Sequence, residues 1–326
     1  MKEHNIPEAK TLGDWAYLGI EKHFKKILKH EDDVLTDRDP EALHEMRVGM
    51  RRLRSAVTGF APALDLPKAA KEEKIAKVAR ILGELRDLDV LKEALENQYK
   101  PELPKSEQKS LKVVLDHLTK KRKHALEQVQ STLENKGYQN LKQALQKWLK
   151  QPKYKEVAQV SIRDVLPNLL LPSISQLFLH PAWLMGNQIK AGEIDVPQDL
   201  NQDTVQELLA DEGLVLHSLR KQTKRSRYQM ELFTDFYGYN YGAYVEDLKE
   251  IQKILGEIQD CYVLKEFLTD MFDSDTKSLL PTLNHKLAQT RYEAWKEWQP
   301  LQHKYLNNET RQALHLELLK PISDFS

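Results

Sequence analysis

The chain has 326 residues, 40% hydrophobic and 30% charged, enough apolar material to bury a sizeable core and too much for a disordered polymer. Lysine plus arginine equals aspartate plus glutamate at 49 each, so no global charge excess attracts an anionic partner, and any basic site must arise from local arrangement. A single cysteine, Cys261, excludes an intramolecular disulfide and a cysteine-based zinc cluster.

The first residues, Met1 to Asn5, are polar and lack the apolar core of a signal peptide, which predicts a cytoplasmic protein. Apolar residues then recur at spacings of three and four along most of the chain, the period of amphipathic helices. The prolines read as punctuation between these runs: Pro62 and Pro67, Pro101 and Pro104, Pro152, Pro197, Pro281 and Pro300. Asp39-Pro40-Glu41 predicts a helix start, with an N-cap, a first-turn proline and an acid that complements the helix dipole. A helix is predicted to stop around Asn135-Lys136-Gly137. The apolar stretch from Val165 to Met185 is interrupted by three prolines and several polar residues, too broken for a membrane span. Met185 to Gln202 is polar, aperiodic and glycine-containing. The predicted organisation is a first helical half over 1–184, a linker over 185–202 and a second helical half over 203–326.

The two halves repeat. At a shift of 173 positions, Leu43, His44, Arg47, Arg52, Arg54 and Phe60 meet identical residues, and Arg51 meets Lys224. At the same shift VARILGELRDLDVLKEAL from Val78 meets IQKILGEIQDCYVLKEFL from Ile251, with ten of eighteen positions identical. Shared helical periodicity alone would not place a Gly-Glu pair, an aspartate and a histidine in register. The expected fold is therefore all-α: two similar helical bundles from an internal duplication, related by a pseudo-two-fold axis.

Leu43, Met46, Met50, Leu53, Val57 and Phe60 form the stripe expected to face the core. His44, Arg47, Arg51 and Arg54 follow the same alternation one residue later, about 100° around the helix. In the second half Leu216, Leu219, Met230 and Phe233 are offset in the same way from His217, Arg220, Lys224 and Arg227. Neither basic stripe is read as carrying the i+4 acids that accompany a helix face built only for solubility. Arg52, Lys221 and Arg225 add charge beside the stripes. Successive stripe residues rise about 5 Å along the axis, a ladder suited to a linear polyanion, with arginine forks pairing phosphate oxygens bidentately. Such ladders would focus positive potential even at zero net charge.

Glu84 and Asp87, with Glu257 and Asp260, are acids one turn apart that could ligate a metal or act in acid–base chemistry. Pairing with the neighbouring arginines is the simpler role, since no further ligands stand at fixed spacing. Gly83 and Gly256 predict close helix approach. Arg122, within Lys120 to His124, and a counterpart at Arg291, aligned through a small gap, extend the basic surface or form a solvated face. Cys261 reads as a small core residue.

The pattern His44 to Arg54 followed by Leu82 to Val90, with a degenerate second copy at His217 to Arg227 and Leu255 to Val263, resembles the CHAD domain, the conserved histidine α-helical domain. The stretch from Leu169 to Gly186 resembles CHAD proteins of cyanobacterial type. The resemblance implies two helical bundles around a central basic cavity that binds inorganic polyphosphate, and association with polyphosphate granules. The residues it points to are His44, Arg47, Arg51, Arg54 and their second-half matches, with Arg86 in the first half replaced by Gln259 and Asp89 replaced by Tyr262. The expected protein is a non-catalytic binder without cofactor or metal. The alternative is a metal-dependent phosphohydrolase acting on polyphosphate or a phosphate ester, although HExxH, P-loop and glycine-rich phosphate motifs are missing. Histidine phosphotransfer fits His44 but neither the arginine ladder nor the duplication. Few aromatics accompany the basic residues, which disfavours nucleic acid.

Overall fold

A computed structural model describes residues 9–195, 200–272 and 276–322. The polar leader Met1–Asn5 and Pro197 of the predicted linker lie outside the described residues. The architecture is all-α, with one two-stranded hairpin among the described residues. No helix among them is long and apolar enough to cross a membrane. The chain divides into two compact units. The first takes in residues through Gln98 and Leu115–Val165, and the second takes in Tyr99–Val114 and everything from Leu166 onward.

In the first unit, α1 (Leu12–Thr36) opens with a capping box in which Thr11 and Asp14 each accept a hydrogen bond from the other's backbone N–H. The predicted start at Asp39 is present. Its side chain accepts from the Glu41 N–H at 2.9 Å, and Pro40 is the first residue of α2 (Pro40–Gly59). All six residues of the predicted apolar stripe from Leu43 to Phe60 are buried. The α2 helix packs on α1, whose Ile20, Phe24 and Ile27 are also buried, at a separation narrow enough that Gly49 faces the backbone of His23 and Ile27. The next helix, α3 (Glu72–Ala94), packs on α2 and is followed by a π-turn at Leu95–Tyr99.

The helix α4 (Lys105–Glu134) stops where predicted, and Asn135 caps α5 (Lys136–Lys150) by accepting from the Tyr138 N–H. Between α1 and α5, Glu31 is buried and accepts from the Tyr138 hydroxyl and the Lys142 ammonium. Burial beside that carboxylate holds the Tyr138 phenol well above its ordinary pKa.

Within α6 (Ile162–Phe178) lie Pro167 and Pro172, so these prolines interrupt a helix rather than bound one. From Leu166 onward α6 belongs to the second unit, and the hydrogen bonds give the reason. Gln229 and Gln222 donate to the carbonyls of Leu169 and Ser173, and the Ser173 and Ser226 hydroxyls lie 2.8 Å apart. Residues 166–184, placed with the first half by the sequence, are thus built into the second unit. Part of the predicted linker is ordered as well. The strands β1 (Gln188–Lys190) and β2 (Glu193–Asp195) pair antiparallel around Ala191 and Gly192, both at positive φ as a tight hairpin turn requires.

The second unit continues through α7 (Gln202–Glu231), α8 (Tyr239–Phe272), the single turn α9 (Thr276–Leu279), α10 (Pro281–Leu306) and α11 (Asn308–Leu318). Leu216, Leu219, Met230 and Phe233 are buried as predicted, and Thr223 and Ser226 fill the gap between them on the same face. The start of α10 has no cap of its own. Glu107 of α4 supplies one, accepting from the Thr282 and Leu283 N–H groups at 3.1 and 3.2 Å. Pro300, read as a boundary, lies inside α10. Burial of Trp295, Trp298, Gln302 and Tyr305 continues one apolar face past it, and Gln302 fastens that face to the carbonyls of Trp183 and Met185. Tertiary packing here outweighs the local cost of the proline.

Candidate functional site

The basic stripe of α2 runs along the edge of its buried face. Its residues are partly or fully exposed, Arg52 and Arg54 the most and His44, Arg47 and Arg51 less so. Arg47 reaches across to α3, where Nη2 lies 3.1 Å from Asp87 Oδ1. Its guanidinium passes over Gly83, so that a methyl placed there would sit 3.6 Å from Arg47 Nε. The expected role of Gly83 as a point of close helix approach is thus refined. What the missing side chain admits is a stripe arginine. Arg54 pairs with Glu72, the second end of an α2–α3 bracket. Arg86 of α3 is half-buried.

His44 stands in an acidic setting. Glu41, His44 and Glu45 bring one ligand-type atom each to within 4.8 Å of one another, and Glu45 also pairs with Lys26 of α1. That lysine, with the charges of His44 and His30, keeps the Glu45 carboxyl below its ordinary pKa despite partial desolvation. The two acids are sequence neighbours of His44, so the signal was available at spacings of three and one.

The stripe of α7 repeats one part of this geometry. Arg220 lies over Gly256 of α8, with Nε and Nη2 both 3.5 Å from the position of an added methyl. Arg47 and Gly83, shifted by 173, become Arg220 and Gly256. The surroundings differ. Arg220 Nε is buried without a hydrogen-bond partner, as is Nδ1 of His217. Desolvation, then the charges of Lys221, Arg220 and Lys224, lower the His217 pKa, opposed by a hydrogen bond to Gln259 of α8. Gln259, noted in the sequence only as a replacement for Arg86, therefore positions the histidine. Lys221 and Arg225 are exposed and Lys224 is half-buried.

Three predicted residues are tied up within the fold. Arg227 is buried, donates from Nε to Gln252 at 3.0 Å, pairs with Glu231 and lies 4.3 Å over the Tyr228 ring. Glu231 stands at i+4, so the reading that neither stripe carries such an acid is corrected at this position. The pair forms because Arg227 is turned toward the core, where an uncompensated charge would be costly.

Arg122 offers both terminal nitrogens to Asp37 at 2.8 Å and Nε to Asp89 at 2.6 Å, which raises its pKa and occupies its fork. Arg291 is buried, and its pKa is lowered by that burial. It donates to Gln206, and its Nε has no hydrogen-bond partner. Near it Cys261 is buried as expected and hydrogen-bonded to Tyr99, with burial pushing the thiol up to about 11.

The family model for the CHAD domain matches residues 19–269. Two solved structures are similar over most of their length. The crystal structure of the CHAD domain from the plant Ricinus communis is 22% identical, covers 95% of this chain and 92% of its own, and superposes with a TM-score of 0.56. PptA from Streptomyces chartreusis is 15% identical, covers 91% of this chain and 100% of its own, with a TM-score of 0.63. At these identities the likeness shows the fold. Among curated proteins, none matches the chain.

Proposed function

The chain belongs to the CHAD domain family, whose model covers most of it, and on that premise we propose that it binds inorganic polyphosphate without catalysing its breakdown. The observation that carries this reading is the seating of Arg47 over Gly83 and of Arg220 over Gly256, at the edge of a basic stripe in each unit. A glycine seat lets the planar guanidinium lie against the neighbouring helix. A linear polyanion offers oxygens at intervals that successive cations, about 5 Å apart, engage in turn. A small phosphate ester uses only part of such a row. The ligand-facing set is His44, Arg47, Arg51, Arg52 and Arg54 with Arg86, and His217, Arg220, Lys221, Lys224 and Arg225. Arg122, Arg227 and Arg291 shape the units that carry these rows. The protein acts in the cytoplasm, at or near polyphosphate granules, and needs no cofactor or nucleic acid.

The test is calorimetric titration with polyphosphates of increasing length at two salt concentrations, with DNA and ATP as competitors. Binding that strengthens with chain length, weakens with salt and resists both competitors is the expected result. Absence of binding by the folded protein would sink the reading.

One observation favours a second reading, a metal-dependent phosphohydrolase: the Glu41–His44–Glu45 trio has the donor types of a divalent-cation site. Phosphate release that requires added metal and disappears in His44→Ala would establish it in place of the first.

A further inference from the structure

We infer that the two stripes are unequal, and that the His217–Arg220 end of the stripe on α7 is the tighter anion site because the fold leaves that end short of anions of its own. The inference rests on the polyphosphate reading above and ranks the two rows within it. In the first unit the protein supplies the counter-charges. Asp87 holds Arg47, Glu72 holds Arg54, Glu45 and Glu41 flank His44, and Asp37 and Asp89 together hold Arg122. A phosphate approaching this row must displace or tolerate carboxylates already in place.

At a shift of 173 five of those six acids are gone, Asp37 becoming Ala210. Glu41 becomes Leu214, Glu45 becomes Ser218, Glu72 becomes Val245 and Asp89 becomes Tyr262, while Val48 becomes Lys221. Asp260 and Glu257 remain, Glu231 holds Arg227 where Glu72 holds Arg54, and the loss of Arg86 to Gln259 partly offsets the change. Geometry follows composition. Among the described residues no carboxylate is hydrogen-bonded to Arg220, whose Nε, like Arg51 Nε of α2, is buried without a hydrogen-bond partner at that atom, and His217 Nδ1 is likewise, whereas Arg47 of α2 reaches Asp87. Arg291, the gapped counterpart of Arg122, donates to the neutral Gln206 where Arg122 has two acids. A buried guanidinium donor that lacks an anion, as on Arg220, is costly in the free protein, and a bound anion removes that cost. The substitutions that make the second copy look degenerate are those that strip its acids.

The experiment is calorimetric titration of tripolyphosphate, a probe short enough to report on one row, at fixed ionic strength. It compares the full-length protein with Arg47→Ala, Arg220→Ala and the double variant Leu214→Glu/Ser218→Glu. Leu214 is exposed, so the acid graft does not disturb the core, and it decides the matter should Arg220→Ala lose its fold by circular dichroism. We expect Arg220→Ala and the acid graft each to weaken binding at least tenfold, and Arg47→Ala less than threefold. Equal losses, or a larger loss from Arg47→Ala, overturn the ranking while leaving polyphosphate binding intact. A wild-type protein that binds neither tripolyphosphate nor long chains overturns the underlying reading itself.

Discussion

Glu31 of α1 accepts a 2.8 Å hydrogen bond from the Tyr138 hydroxyl and a 2.5 Å one from the Lys142 ammonium of α5. Both groups lose their acceptor in Glu31→Ala, and Tyr138 is almost fully buried. Breaking a buried charged network from one side costs about 3 kcal/mol. Urea unfolding should show that loss, and Glu31→Gln should recover part of it by keeping an acceptor for the phenol.

His23 gives the first unit a pH dependence with a defined sign. Burial, reinforced by Arg52, Lys22 and Lys26, lowers its pKa from 6.5 to about 4. The folded state therefore binds the proton less readily than the unfolded state. Stability is unaffected by His23 above about pH 6.5, and is lost as pH falls from there toward 4, by up to about 3 kcal/mol. Denaturation midpoints at pH 7.5, 5.5 and 4.5 should fall in that order, and His23→Phe should flatten the series.

Two glycines should respond in opposite directions. At Gly49 an added Cβ would stand 3.0 Å from Ile27 Cγ1 and 3.4 Å from the Ile27 nitrogen. Gly49→Val should therefore cost about 2 kcal/mol by overpacking the α1–α2 contact. At Gly213, inside α7, nothing lies within 4 Å. Gly213→Ala should stabilise by about 0.5–1 kcal/mol through helix propensity. Thermal melts of the two variants check both signs.

Arg122 should matter to folding rather than to anion binding. Its removal leaves Asp89, only 14% exposed at its side chain, without its partner. Arg122→Ala should lose about 2 kcal/mol of stability and change polyphosphate affinity by less than twofold. A large affinity loss in a stable Arg122→Ala would return this residue to the ligand-facing set.

The seats under the stripe arginines predict a size threshold. At Gly83 an added methyl would meet Arg47 at 3.6 Å, ordinary contact distance, so Gly83→Ala should keep both fold and affinity. Gly83→Leu occupies the place of the guanidinium and should weaken polyphosphate binding to the extent that Arg47→Ala does. Paired melts and titrations separate that loss from unfolding.

Periodicity was enough to locate the buried faces, because burial of Leu43 through Phe60 and of Leu216 through Phe233 depends only on which side of a helix is apolar. Asp39 was readable as a cap, since a cap is made with the next three residues, and Asn135 was readable as the place where a helix stops. The fate of individual cations was less readable. Arg227 could have been recognised from Glu231 at i+4, a signal within the sequence window. Arg122 could not, because Asp37 lies 85 positions away and meets it only through the fold. Residues 166–184 were misassigned for a related reason. Their apolar spacing says that they pack, and only the long-range bonds from Gln222, Ser226 and Gln229 say against what. At Pro300 a local rule met a stronger tertiary one.

The arginine–glycine seats carry a consequence for descent. Beyond the step from glycine to alanine neither residue is replaceable alone: a larger side chain at Gly83 or Gly256 evicts the arginine above it, and a lysine at Arg47 or Arg220 leaves the seat without its flat occupant. The two positions of each pair should therefore vary together among relatives, whereas the carboxylates around them are free to come and go. At the 173-position shift the arginine–glycine pairs match while most of the acids around them differ, a difference that under the polyphosphate reading sets how firmly each row holds an anion.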